Sequence, residues 1–218
     1  MFWGTIFLLS LIQGITEFLP VSSSGHLVFI PYFLDFTYQG RSFDVSVHFG
    51  SLLAVIIYLR VDLYKILMDL CSKDRFNSEG FETIKNLVIA TIPVTIFGYL
   101  LFLLNIQFIK FIEIVGWTTI IFGILLGFSD RVEINKKYLP NFKHSAIIGL
   151  IQSLSLIPGV SRSGIVMTSG RFLGYSRVNS AKFALLLSIP VIFAAMTLNI
   201  INIISKDNIL FSIDLFLG

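Results

Sequence analysis

Apolar residues run along this chain in long blocks. Five stretches stand out, Phe2 to Phe18, Val45 to Leu59, Leu87 to Leu104, Ile114 to Phe128 and Phe183 to Ile204. At about 1.5 Å of rise per helical residue, the longer ones match a hydrocarbon core of about 30 Å, and the shorter ones do so with their flanks. Two further apolar pieces, Leu27 to Phe36 and Ala146 to Ile157, cover only half that distance, and each lies beside a Ser-Gly-rich segment. Half-length helices broken by polar backbone predict re-entrant hairpins, because non-helical backbone at membrane depth must line a cavity or be buried in protein. The pattern therefore predicts an all-α polytopic membrane protein, with residues 1–218 as a single membrane domain.

The two Ser-Gly segments are copies of each other. Shifting the chain by 139 residues pairs Leu11-Ile12-Gln13 with Leu150-Ile151-Gln152, Val21-Ser22 with Val160-Ser161, Ser24-Gly25 with Ser163-Gly164, and Phe33-Leu34 with Phe172-Leu173, without a gap. Leu and Ile coincide often by chance in so apolar a chain, but Gln, Ser and Gly do not. Repeat one, residues 1–139, would hold a hairpin at 2–36 and spans near 45–59, 87–104 and 114–128. Repeat two, residues 140–218, would hold a hairpin at 145–173 and a span near 183–204. Three crossings between the hairpins invert the second copy. The same shift leaves no counterpart for residues 80–128, so two closing membrane helices are expected to be lacking, with Ile209 to Gly218 as the start of a further span.

Charge tests the inversion independently, since cytoplasmic loops accumulate Lys and Arg. One side receives Arg60, Lys65, Lys73, Arg75, Lys85, Arg131, Lys136, Lys137, Lys143, Arg171, Arg177 and Lys182, and the other only Arg41, Lys110 and Lys206. The first hairpin is thus expected to enter from outside and the second from the cytoplasm. Composition agrees: 55% of residues are hydrophobic and 13% charged, against about 25% charged in soluble domains. The net charge of +3 is dispersed over short loops, which argues against nucleic acid as a partner. A single cysteine, Cys71, excludes an intramolecular disulfide and a cysteine-based metal site. The first segment lacks the basic region and cleavage site of a signal peptide and is expected to be retained.

Candidate chemistry concentrates in the two segments. In the first, Gln13 and Glu17 are four apart and share a helix face, Pro20 ends or kinks that helix, and Ser22, Ser23 and Ser24 precede Gly25 and His26 as caps for the next. A carboxylate inside a membrane is costly and by default functional. In the second, Gly159 and Gly164 permit tight backbone, Ser161 and Ser163 again serve as caps, and Arg162 offers a planar, permanently charged fork for phosphate oxygens. Two inverted hairpins would bring helix N-termini together near the midplane, an anion site by virtue of free amides and helix dipoles. Serine hydroxyls and Arg162 would bind a diphosphate, and Glu17 with Gln13 would hold a divalent cation bridging its phosphates. Ser, His26 and Glu17 together allow attack by an activated hydroxyl or by water. His144 is expected in a loop, and His48 in packing rather than on a cavity wall.

These motifs resemble those of the undecaprenyl-diphosphate phosphatases, also called bacitracin-resistance proteins. Gln13 to Glu17, Pro20 to His26 and Pro158 to Ser163 match the family's signatures in order and separation. The resemblance implies hydrolysis of undecaprenyl diphosphate to the monophosphate, recycling the lipid carrier of cell-wall synthesis in the bacterial inner membrane, with activity assisted by Mg2+ or Ca2+. Carried over, Glu17 is the essential carboxylate, Ser23 the candidate nucleophile, His26 the acid or base and Arg162 the phosphate clamp, with a water nucleophile or a His26-based route as alternatives. The family commonly has Thr three residues after the second Ser-Arg-Ser, where this chain has Val166 and then Thr168. The expected partners are a polyprenyl diphosphate and membrane lipids; no sequence feature sets an oligomeric state.

The main rival is a polyprenyl-phosphate flippase or anionic-substrate transporter, which uses the same broken helices. Soluble-type lipid phosphatases fit less well, because they need a second His and an Asp after their Ser-Arg, where this chain has Thr168 and Phe172.

Overall fold

A computed structural model describes residues 2–34, 41–104, 112–134 and 138–205. Their long elements are all helices: α1 (Phe2–Thr16), α2 (Ser23–Leu34), α3 (Arg41–Tyr58), α4 (Arg60–Cys71), α5 (Glu79–Leu103), α6 (Ile112–Ser129), α7 (Phe142–Gln152), α8 (Arg162–Phe172) and α9 (Arg177–Ser205). Three of them, Glu79–Leu103, Ile112–Ser129 and Arg177–Ile201, are long and apolar enough to cross a membrane. The chain is therefore built as an all-helical membrane protein. The first and second apolar stretches fall short of that mark: Trp3–Thr16 and Phe43–Tyr58 are shorter apolar helices. α1 ends where the Glu17–Pro20 turn begins, and α3 opens on polar Arg41, Ser42, Asp44, Ser46 and His48. The expected span at 87–104 starts eight residues earlier, at Glu79, because Ser78 accepts a bond from the Phe81 amide and Asp69 Oδ2 one from the Gly80 amide. Both satisfy free N–H groups of the first turn. The stretch from Ile209 to Gly218 lies outside the described residues.

Buried side chains collect around α9. Phe183, Ala184, Leu186, Leu187 and Ile192 pack with Leu52 and Val55 of α3, Leu87 and Ala90 of α5, Ile148 of α7 and Val166 of α8. A smaller cluster, Leu9, Leu27 and Phe43, joins α1, α2 and α3. Close approach is what holds such helices together, since lipid tails are as apolar as leucine and small residues let backbones meet. At Gly149 of α7, an added Cβ would sit 2.5 Å from the Ala90 carbonyl oxygen of α5. His144, expected in a loop, lies in the first turn of α7, where Nδ1 is 2.6 Å from the Tyr175 hydroxyl. The N-cap Asn141 starts the helix earlier than its apolar run does, and this moves the histidine inside it.

Candidate active site

The two motifs meet through their turns. Ser22 caps α2 by accepting a bond from the Gly25 amide (3.2 Å), and Ser161 caps α8 by accepting one from the Gly164 amide (3.1 Å). Gly25 and Gly164 correspond under the 139-residue shift, so the same local chemistry recurs at both helix starts. Ser22 holds φ +58°, a left-handed conformation that costs a non-glycine residue energy. His26 supports that turn, its Nδ1 lying 2.8 Å from the Ser22 carbonyl oxygen. Ser163 donates to the Leu19 carbonyl (2.8 Å), and an added Cβ at Gly164 would sit 3.3 Å from Pro20 Cβ. Gly159 has φ +91° and is pressed against α6, where Thr119 donates to its carbonyl (3.0 Å) and Thr118 to that of Pro158 (2.7 Å). Glycine is required there on both counts, because an added Cβ would fall 2.1 Å from Thr118 Oγ1.

Glu17 is the centre of this arrangement. Arg162 Nη2 donates to its Oε1 (2.6 Å), while Gln13 Nε2 and Ser23 Oγ each donate to Oε2 (2.7 Å). His48 Nε2 stands 3.6 Å from the same Oε2. Glu17 is 7% exposed, so these contacts are made largely out of water, where charge-assisted bonds are strong and an unpaired carboxylate would be costly.

A cavity of about 430 Å³ opens beside this carboxylate. Glu17, Ser22, Ser23, Ser24, Ser161 and Arg162 line it, so residues from both motifs share one wall. Gln13, Gly25, His26, Gly159, Ser163 and Gly164 do not line this cavity. Val166 is buried in the core, and Thr168 turns its hydroxyl to the Gly164 carbonyl of its own helix, so neither reaches the cavity. The rest of the lining divides into polar positions, Asp44, His48, Thr95, Ser155 and Asn199, and an apolar face formed by Val94, Leu156, Val191, Ile192, Ala195 and Leu198. Such a mixed, mainly apolar space suits an amphiphile whose charged end faces Glu17 and Arg162.

His48 corrects the expectation of a packing histidine: it sits on the cavity wall. The signal was present in its position four residues after Asp44, two ionisable groups on one face of an otherwise apolar helix. Asn199 carried a similar signal as an amide inside an apolar run. Gln13 and Glu17 do not fit a resident divalent cation. Glu17 already accepts from a guanidinium, an amide and a hydroxyl, and Gln13, whose carbonyl oxygen is buried without a partner, does not line the cavity. Among the described residues no group of three or more His, Cys, Asp or Glu could hold a metal ion.

Fold and site together define a helical membrane protein with an acid–serine–arginine site at a mixed polar and apolar cavity. Residues 6–217 match the family model described as bacitracin resistance protein BacA, and the chain belongs to that family. It is 45% identical over 205 residues to an undecaprenyl-diphosphatase of Campylobacter curvus (strain 525.92), covering 93% of this chain and 78% of the relative. It is 43% identical over 216 residues to an undecaprenyl-diphosphatase of Campylobacter concisus (strain 13826), covering 98% and 82%. A relative of the same name from Jannaschia sp. (strain CCS1) is 44% identical over 195 residues, covering 87% and 73%.

Proposed function

We propose that this chain is an undecaprenyl-diphosphatase, hydrolysing the lipid diphosphate to the monophosphate and inorganic phosphate. The observation that carries the reading is the Glu17 carboxylate, which accepts the Ser23 hydroxyl from its own motif and the Arg162 guanidinium from the other. A serine bonded to a buried carboxylate is set up to lose its proton as it attacks. A flippase has no need of such a pair, which favours hydrolysis over transport.

In the proposed reaction Ser23 Oγ attacks the terminal phosphorus, and its proton passes to Glu17 Oε2. The bond between that phosphorus and the bridging oxygen breaks, and the polyprenyl monophosphate leaves with the bonding pair. Glu17 passes that proton to the leaving oxygen and, as a carboxylate again, deprotonates the water that attacks the phosphoserine; the proton returns to Ser23 Oγ as the phosphorus–Oγ bond breaks and inorganic phosphate is freed. Arg162 turns from Glu17 to the phosphate oxygens and offsets the charge gathering there. Ser22, Ser24 and Ser161 offer hydroxyls to the diphosphate. His26, with Nδ1 on the Ser22 carbonyl, holds the turn that aims Ser23. The Mg2+ or Ca2+ expected with the family would travel on the diphosphate oxygens rather than in a protein cage.

The short capped helices α2 and α8 support the reading as two re-entrant hairpins of an inverted repeat. The cavity is lined by the start of α3, the later half of α5 and the later half of α9, the ends assigned to the side poor in Lys and Arg. On that reading the protein lies in the bacterial inner membrane and the diphosphate is cleaved at its outer face. Phosphate release from a polyprenyl diphosphate in detergent tests the proposal. The expected result is turnover by the parent chain that is lost in Ser23→Ala and Glu17→Ala. Absence of release by the parent, with lipid movement across vesicles instead, would overturn it.

A further inference from the structure

We infer that His48 is a positioning residue of this site, a polar partner that steadies Glu17 Oε2 from the α3 side while Arg162 holds Oε1 from α8. The inference rests on the hydrolytic reading above. Its starting point is the ring's orientation. Nδ1 lies 2.6 Å from the Asp44 carbonyl oxygen, one helical turn back, and Nε2 faces Glu17 Oε2 at 3.6 Å. A carbonyl only accepts, so Nδ1 carries a hydrogen. The Glu17 carboxylate also only accepts, and Arg162, Gln13 and Ser23 already treat it as an acceptor. With Nδ1 donating to the Asp44 carbonyl, the ring is fixed with Nε2 toward Glu17 Oε2, and at 3.6 Å the two stand at ion-pair rather than hydrogen-bond distance.

The charged and titratable groups lining the cavity are Glu17, Asp44, His48 and Arg162. Among them, His48 and Arg162 are the two that face the carboxylate, one at each oxygen. This matters once a diphosphate draws the guanidinium away. Gln13 then bonds Oε2 from within Glu17's own motif, and His48 is the contact that steadies it from another helix; a misplacement of about 1 Å at a reacting group costs about 100-fold in rate. His48 keeps Oε2 on Ser23 during that exchange. It acts through Glu17, and its effect belongs to kcat rather than to substrate binding.

Two substitutions of similar size separate this role from packing. His48→Gln retains side-chain N–H donors, and His48→Leu fills the same space without one. In a phosphate-release assay on the full chain in detergent, His48→Leu is expected to lose about 10- to 100-fold in kcat with KM nearly unchanged. His48→Gln is expected to stay within about 3-fold of the parent, on the same geometric argument. Thermal unfolding in detergent checks that both variants are folded. Leu equal to the parent, or Gln as impaired as Leu, overturns the inference while leaving the hydrolytic reading intact. A parent chain that releases no phosphate overturns both.

Discussion

The two motifs share their cap chemistry but not their support. In α8, Ser163, Gly164, Ile165, Val166, Thr168, Ser169, Gly170 and Arg171 are buried, whereas α2 buries only Gly25, Leu27 and Pro31. α7 presses Gly149 onto α5, while an added Cβ at Gly4 or Gly14 of α1 would meet nothing within 4 Å. Arg171 anchors the second motif further, donating to the carbonyls of Tyr175 (2.6 Å), Asp130 (2.9 Å) and Val132 (2.9 Å). The phosphate-facing arginine thus stands on the firmer scaffold. Carboxylate and serine stand on the slacker one and are tied to the firmer one by the Glu17–Arg162 pair and the Ser163–Leu19 bond. Related turns can divide one reaction between a fixed clamp and a part that is positioned against it.

Breaking the contact between the motifs should have the largest effect. Arg162→Ala is expected to lower kcat for phosphate release by about 100- to 1,000-fold, the magnitude typical of removing a preorganised charge-stabilising donor. Retained turnover would remove Arg162 from the clamp role. Next in size, Arg171→Leu should lower the unfolding midpoint in detergent by strongly destabilising the second motif, at a cost of about 3 kcal/mol for the buried carbonyls left unpaired. The same assay compares the scaffolds through their glycines. Gly149→Ala should cost about 1–3 kcal/mol through overpacking against Ala90. Gly14→Ala should instead be neutral or stabilise by about 0.5–1 kcal/mol, as expected for glycine removed from an unobstructed helix. Equal effects at the two positions would erase the distinction between firm and slack motifs.

The smallest effect concerns Asp130, next to the second motif. Its hydrogen bond from Arg177 holds its carboxyl below the ordinary carboxylate range. A depressed folded-state value means that this contribution is present above the ordinary range and lost as pH falls through the folded value. Asp130→Asn should therefore reduce the change in midpoint on acidification below about pH 4. An unchanged acid response would show that the pair adds nothing to the second motif's support.

Much of the site was legible because it is local. Gln13 and Glu17 pair at i and i+4 as helical spacing demands, and Ser22 and Ser161 cap the helices that follow them. His26 was legible as a motif residue but not as one turned to the Ser22 carbonyl, since its direction follows from the unusual φ of Ser22. The first apolar stretch was read two residues past the end of α1, where the Glu17–Pro20 turn breaks it, and α3 starts four residues before the apolar run at Val45 because its first turn is polar. His48 was assigned to packing because Asp44 and His48 mark a polar face of α3 without indicating which way that face turns.

By itself the sequence determined a helical chain rich in apolar spans, two related turns, and the local bonds within each turn, all of which depend on residues no more than a few positions apart. Only the tertiary structure decided that Arg162 meets Glu17 across 145 residues, that His48 approaches the same carboxylate from α3, and that Gln13 does not line the cavity. The physical reason is that the rotation of a helix about its axis is set by every helix packed against it. A residue's chemistry is written locally, but the cavity it faces is a property of the whole bundle.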